Sequence, residues 1–309
     1  MQTPRERLLA ALHGQPTDRV PVWLLFPYHP TAYYVDVRQH PAYQPIDEMA
    51  RQMAVTLNRR NLHLPLHAPS VQRESSTEAG PDGPVTVTRL RGGGGTLVER
   101  RWPDGRVEHL LDRDEALEIY CDLALEEDPE CLTEALDAQL PAYLAEKAEF
   151  PVERGAMMLD LGEPVADLYY AADLCALAIW SLTHEARIAA FLDRAMARKR
   201  VLYTYCLERD LADVYFLVGS ELTAPPLVGL DTFRRWIVPY AKELIDLVHS
   251  YGKTVIQHFH GQIRELLPEF VEMGADALHT IEAPPIGNCT LPQAYETIGD
   301  TMTLIGNIQ

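Results

Sequence analysis

The segment Gln257-His-Phe-His-Gly261 ends a short apolar run, Thr254 to Gln257, with two histidines and a glycine. Side chains two apart on an extended chain share a face. His258 and His260 are therefore expected to point the same way at a strand end. A second run, Ala275-Asp-Ala-Leu-His-Thr-Ile-Glu282, ends on a carboxylate. Two imidazoles and a carboxylate at adjacent strand ends are the donors of a metal site. His258, His260 and Glu282 are thus candidate ligands, against the plainer expectation of polar side chains lining a pocket. Glu282 has a second alternative, an ion pair with an arginine across the mouth of the fold. Glu221 closes the run Asp213 to Glu221 in the same manner. Glu221 and Glu282 are the candidate catalytic carboxylates, with a structural ion pair as the alternative for Glu221. Cys289 is a fallback ligand on a loop, and alternation sets His279 on the face opposite Glu282.

These residues need strands to hold them. The second half of the chain repeats strand and helix at intervals of roughly 25 to 45 residues, a pattern that implies a parallel sheet. Strands are expected at Gly155–Gly162, Asp213–Glu221, Thr254–Gln257, Ala275–Glu282 and Thr301–Ile308. Helices are expected at 173–180, 185–209, 231–251, 261–273 and near 291–298. Within the long helix, Arg198-Lys-Arg200 reads as a solvated face. The ionisable and polar residues Glu221, His258, His260, Glu282 and Asn307 all fall at strand C-termini. That is the catalytic face of a (β/α)8 barrel.

The first half is less regular. Thr3, Pro4 and Glu6 form a capping-box start to a helix that Gly14 ends. An apolar first strand over Val20–Phe26 follows, then an aperiodic loop, Tyr28–Gln44, and a helix over Pro45–Asn58. Residues 85–111 alternate with period two and read as a small antiparallel meander. The four glycines Gly92–Gly95 lack a Gly-Lys-Ser/Thr ending and read as its turn rather than as a phosphate loop. Residues 112–150 are acidic and helical.

Composition narrows the partners. The chain has 309 residues and a formal charge of −18, a field that repels nucleic acid and anionic membrane. The five cysteines are irregularly spaced without a CxxC pair, and the N-terminus has no apolar signal core. A reducing cytoplasm is the expected compartment. Barrels of this length commonly form one domain, so residues 1–309 are expected to be one barrel with an excursion at 85–111.

Several stretches together resemble the uroporphyrinogen decarboxylase superfamily. They are Arg5-Glu-Arg-Leu-Leu-Ala-Ala-Leu-His-Gly-Gln-Pro-Thr-Asp-Arg-Val-Pro-Val22, the helix Phe233–Gly252 leading into the histidine strand, Gly274-Ala-Asp-Ala-Leu-His279 and Gly306-Asn-Ile308. The resemblance spans nearly the whole chain. It implies an α/β TIM barrel with its site at the strand C-termini. The chain ends at Gln309, directly after a strand resembling the seventh, so a barrel without its last βα unit, and with an open sheet edge, is expected.

The superfamily holds two chemistries. The decarboxylases act on a tetrapyrrole polycarboxylate without a cofactor and carry an Arg-Gln-Ala-Gly-Arg-Tyr signature after the first strand. Here that loop holds Tyr28, Asp36 and Arg38 instead, and these are the candidate substrate-binding residues. Arg38, Arg59 and Arg60 are the cations nearby in sequence. The cobamide-dependent methyltransferases carry His-x-Cys-Gly at the histidine strand, where this chain has His258-Phe-His-Gly261. Related zinc enzymes place a glutamate where Glu282 falls. The resemblance thus implies a methyltransferase that holds zinc through His258, His260 and Glu282 and turns a bound thiol into a nucleophile. Its methyl donor would be a methylcobamide carried by a corrinoid protein. Histidine in the cysteine position makes the site less thiolate-like. The other functions weighed are a decarboxylase of the first type and a non-catalytic corrinoid or small-molecule binding barrel. A homodimer is a further expectation.

Overall fold

The computed structural model describes residues 1–25, 28 and 40–306. Asp36, Arg38 and Asn307 lie outside the described residues.

The chain opens with α1 (Pro4–Leu12), whose Thr3 hydroxyl accepts from the Glu6 N–H while the Glu6 carboxylate accepts from the Thr3 N–H. This is the expected capping box. α2 (Gln44–Met53) and β1 (Thr56–Arg60) follow. An antiparallel sheet is built from β2 (Gln72–Gly80), β3 (Gly83–Gly92), β4 (Gly95–Arg101) and β5 (Val107–Glu108). Three helices, α3 (Asp114–Asp122), α4 (Pro129–Asp137) and α5 (Leu140–Glu149), lead to β6 (Gly155–Asp160). Then come α6 (Ala166–Tyr169), α7 (Leu174–Thr183), α8 (Glu185–Glu208) and β7 (Val214–Leu217). The chain continues through α9 (Leu230–Trp236), α10 (Val238–Ser250), β8 (Thr254–His258), α11 (Leu267–Met273), β9 (Ala277–Ile281), α12 (Leu291–Ile298) and β10 (Thr303–Gly306).

β1, β6, β7, β8, β9 and β10 form one sheet in that order, parallel at every pairing. Each crossover runs through helices, and the first also carries the antiparallel sheet. Every residue of β6, β7 and β8 is buried, as a parallel sheet covered on both faces requires. The sheet curls, because side chains from distant positions meet inside it. Trp23 packs against Phe216 of β7 with ring centroids 6.2 Å apart and against His279 of β9 at 5.1 Å.

The inner face is an apolar cluster that includes Leu57, Met158, Val214, Phe216, Ile256 and Ala277. Leu8 and Leu12 of α1 join it, so α1 sits across the N-terminal end of the sheet. Its polar contacts with the sheet fall at strand beginnings. Arg5 donates to Gly155 O and pairs with Asp213, His13 Nε2 lies 2.9 Å from Thr254 Oγ1, and Thr303 Oγ1 donates to Ala11 O. With that end filled, the C-terminal strand ends are left for chemistry. The outer face packs on the helices in a second, larger core.

Four expectations are corrected. The first strand shrinks to one parallel bridge, Trp23 to Val55. The helix expected over Pro45–Asn58 stops at Met53, and Thr56–Arg60 becomes β1 because it pairs residue for residue with Gly155–Leu159. The meander begins at Gln72 rather than Val85. β2 is almost wholly exposed and has no apolar alternation to betray it; its ladder with β3 holds it. Arg198-Lys-Arg200 is not a solvated face. Arg198 is buried and donates to the Glu126 and Pro65 carbonyls, and Lys199 donates to Leu161 O. Of the three, Arg200 is the exposed one, paired with Glu243.

Gly93 and Gly94 take positive φ in the β3–β4 turn, as expected of a flexible hairpin. Among the described residues, β10 pairs only with β9, leaving its outer edge open.

Candidate active site

The C-terminal ends of β7, β8 and β9 bring Glu221, His258, His260, His279 and Glu282 together. His258 is the last residue of β8 and stacks on Phe216 inside the sheet, ring centroids 5.1 Å apart. Its neighbour in register on β9 is His279. The two Nδ1 atoms lie 2.7 Å apart in nearly parallel rings. His279 is thus an inward-facing partner of His258, not a residue packed behind the sheet. Strand alternation, counted back from Glu282, misplaced it because β9 ends at Ile281 and Glu282 lies past the strand.

Both rings are held neutral. Burial, reinforced by repulsion from His279, His260 and Arg59, pushes His258 down to about 2. Burial also takes His279 down to about 4. Two neutral imidazoles sharing a 2.7 Å contact need one donor and one acceptor. His258 Nε2 faces Glu221 Oε1 at 3.4 Å. An ionised Glu221 at that distance favours the tautomer with the proton on His258 Nε2, which leaves His258 Nδ1 to accept from His279 Nδ1–H.

Glu221 begins the 3₁₀ turn Glu221–Thr223 after β7. Burial raises its carboxyl above the ordinary range, although the N–H of Gly219, which donates to Oε2 at 3.1 Å, favours the anion. A largely buried carboxylate beside a neutral imidazole takes up a proton more readily than an exposed one.

His260 and Glu282 form the outer part of the site. The His260 ring meets that of His258 edge-on at 4.5 Å, and its side chain is 52% exposed. Glu282 Oε1 sits 2.9 Å from His260 Nδ1, and Glu282 Oε2 accepts from the Gly261 N–H at 2.7 Å. Burial works to raise Glu282, but these two contacts outweigh it and the carboxyl stays below its ordinary value. Glu282 therefore orients His260 and tethers the Gly261 backbone. The expected ligands His258, His260 and Glu282 are gathered in one place, with both Glu282 oxygens engaged by His260 and the Gly261 N–H in this arrangement. Among the described residues, no group of three or more His, Cys, Asp or Glu is arranged to hold a metal ion. Cys289 is buried in the outer core, where burial raises its thiol, and its Sγ is 3.7 Å from Thr290 O.

Two residues without an assigned role stand behind this cluster. Glu163, just past β6, is 1% exposed. It accepts from Ser220 Oγ at 2.8 Å and, more loosely, from Gln257 Nε2 at 3.4 Å. Ser220 precedes Glu221 and Gln257 precedes His258, so one carboxyl braces both sides of the Glu221–His258 pair. Burial pushes Glu163 up to about 7. Asp160, at the end of β6, pairs with Arg59 of β1, whose guanidinium lies 5.0 Å over the Phe216 ring. Asp160 directly follows the apolar run 156–159 and Glu163 comes three residues later, so a carboxylate at the end of an apolar run was a visible signal for both. Arg60 faces the helices and pairs with Glu146. Tyr28 packs edge-on against Phe150, 5.6 Å away.

Alternating parallel strands and helices with ionisable groups at the strand ends define an α/β protein. Comparison with known proteins narrows the class. Residues 176–309 match the family model for uroporphyrinogen decarboxylase (URO-D). A methyltransferase from Methanosarcina mazei has a similar structure, with a TM-score of 0.57 and 16% sequence identity over 100% of this chain and 83% of that one. No curated protein matches the sequence. Residues 176–309 thus resemble the URO-D family, and the fold over the whole length is similar to that of the methyltransferase. Among the described residues, no helix is long and apolar enough to cross a membrane.

Proposed function

We propose that this chain is a methyltransferase working at the Glu221–His258–His260 cluster, on a single (β/α)8-type barrel spanning residues 1–309. The observation that carries the proposal is the row Glu221–His258–His279 at the ends of three adjacent parallel strands, with Glu221 Oε1 3.4 Å from His258 Nε2 and a hydrogen bond between the two imidazoles. The shared fold with a methyltransferase supports it.

A methyl acceptor must lose a proton as its new bond forms. Glu221 Oε1 receives that proton and becomes a neutral acid. His258 and His279 keep their own protons and the hydrogen bond between them, so no charge is left among the three groups. His260, exposed and steered by Glu282, orients the acceptor at the mouth. The methyl donor of this reading is a methylated cobamide on a partner corrinoid protein. Zinc is the metal to look for, and His258, His260 and Glu282 are the side chains that would hold it, although among the described residues no three such groups are arranged as a ligand set as they stand.

The test is methyl transfer from methylcobalamin to small thiols such as 2-mercaptoethanol, followed by loss of the methylcobalamin absorbance, with zinc content measured on the same protein. Glu221→Gln and His258→Asn should each slow transfer by about 10²-fold without lowering the melting temperature comparably. Transfer no faster than in buffer, or variants as fast as the parent, would overturn the proposal. Tight corrinoid binding without turnover would mark a carrier instead.

A further inference from the structure

A cavity of about 330 Å³ opens beside the histidine cluster, with the Arg59–Asp160 pair as the wall nearest it. Its polar lining comes from five places. Arg59 stands on β1, His63 on the segment after it, Asp160 on β6, Asp167 on α6, and Arg198 and Lys199 on α8. Leu64, Leu202 and Val218 supply part of an apolar wall.

The charges do not cancel. Arg59 is matched by Asp160, and Arg198 by Asp167 at 3.2 Å. Lys199 donates to the neutral Leu161 carbonyl at 2.7 Å. Among the described residues, no carboxylate lies within ion-pair distance of its ammonium. The buried Glu163 feels Lys199 only weakly, after burial, Ser220, Glu221 and Gln257 in order of effect. An ammonium has three donors, so two directions remain for a ligand. The lining as a whole is cationic in a chain of net charge −18. Nothing in the fold requires this lysine to face the cavity, because Arg198 already ties α8 to the segment around Pro65.

We propose that this cavity binds the anionic head of a small amphipathic molecule, with Lys199 as the counter-charge and the leucine-lined wall taking its apolar body. The head is a carboxylate, phosphate or sulfonate. The site is independent of the methyl-transfer reading, because it is defined by binding rather than turnover.

The test uses the full chain and three probes, hexanoate, inorganic phosphate and hexylammonium. Binding is followed by calorimetry and by amide NMR. Hexanoate should bind, perturbing amides around Lys199 and Leu202, and hexylammonium should not. Lys199→Gln should weaken hexanoate by about tenfold, the scale of one charge-assisted hydrogen bond. Lys199→Arg should restore most of the loss, and unchanged melting temperatures would show that both variants fold. Three outcomes overturn the proposal. Hexylammonium could bind as well as hexanoate, Lys199→Gln could leave affinity unchanged, or the shifts could centre on His258 and His260. Phosphate binding as tightly as hexanoate would overturn the apolar-wall part.

Discussion

Glu163 and His258 are both fully enclosed titratable groups, yet burial drives them in opposite directions. Each is pushed towards its neutral form, the acid by a higher pKa and the imidazole by a lower one. The consequences for stability have opposite sign. Glu163 sits at about 7 when folded, above the ordinary 4.5 of an unfolded chain. The folded protein therefore holds the extra proton between those values, and stability present below pH 4.5 is lost as pH rises through 7. For His258 and His279 the unfolded chain holds the extra proton, so their contribution is lost as pH falls below about 6.5. Glu163→Gln isolates the first effect, since the amide keeps an acceptor for Ser220 and cannot ionise. Urea unfolding should find variant and parent similar at pH 4. At pH 8 the variant should be the more stable, by on the order of 3 kcal/mol as an upper bound. An equal gap at both pH values would mean that Glu163 does not titrate with folding.

At the scale of elements, the pairing of β1 with β6 decides where Arg59 and Asp160 meet. The register sets Thr56 opposite Gly155. A Cβ added at Gly155 would stand 1.8 Å from the Thr56 carbonyl oxygen, a backbone atom that cannot swing aside. Gly155→Ala should cost about 3 kcal/mol or force the pair apart, measured by chemical denaturation. Gly229→Ala is the control. It has open space and an ordinary φ of −70°, and should change stability by less than about 0.5 kcal/mol. If the two variants melt alike, the close approach of the strands is not as described.

For the whole molecule, α1 is the piece that ties the sheet's beginnings together. It touches the starts of β6, β8 and β10 and the residue before β7, while Leu8 and Leu12 fill the inner core. Leu8→Ala should lower stability by about 2–4 kcal/mol. The loss should register equally by far-ultraviolet circular dichroism and tryptophan fluorescence, because the helix and the sheet unfold as one. A variant that sheds only helical signal would show α1 to be a detachable cap.

Much of this was legible in the chain itself. Apolar runs closed by Glu221, His258 and Glu282 announced strands with ionisable ends, because a buried parallel strand must be apolar along its length and can turn polar only where it emerges. The helix from Glu185 followed from its period, whereas the one expected over 231–251 breaks at Ile237 and the one expected over 261–273 begins only at Leu267. Local pattern could not supply what depends on partners in space. β1 and β2 are strands because β6 and β3 lie beside them. Arg198 is buried because carbonyls from distant segments meet its guanidinium. His279 faces His258 because two strands pair in one register. The sequence alone determined which residues stand at the mouth and what acid–base chemistry they offer. Only the tertiary structure decided that Glu282 serves His260, that His279 and Glu163 brace His258 and Glu221, and that Lys199 faces a cavity. Those facts are contacts between residues tens of positions apart, and contacts at that range are set by how the elements pack.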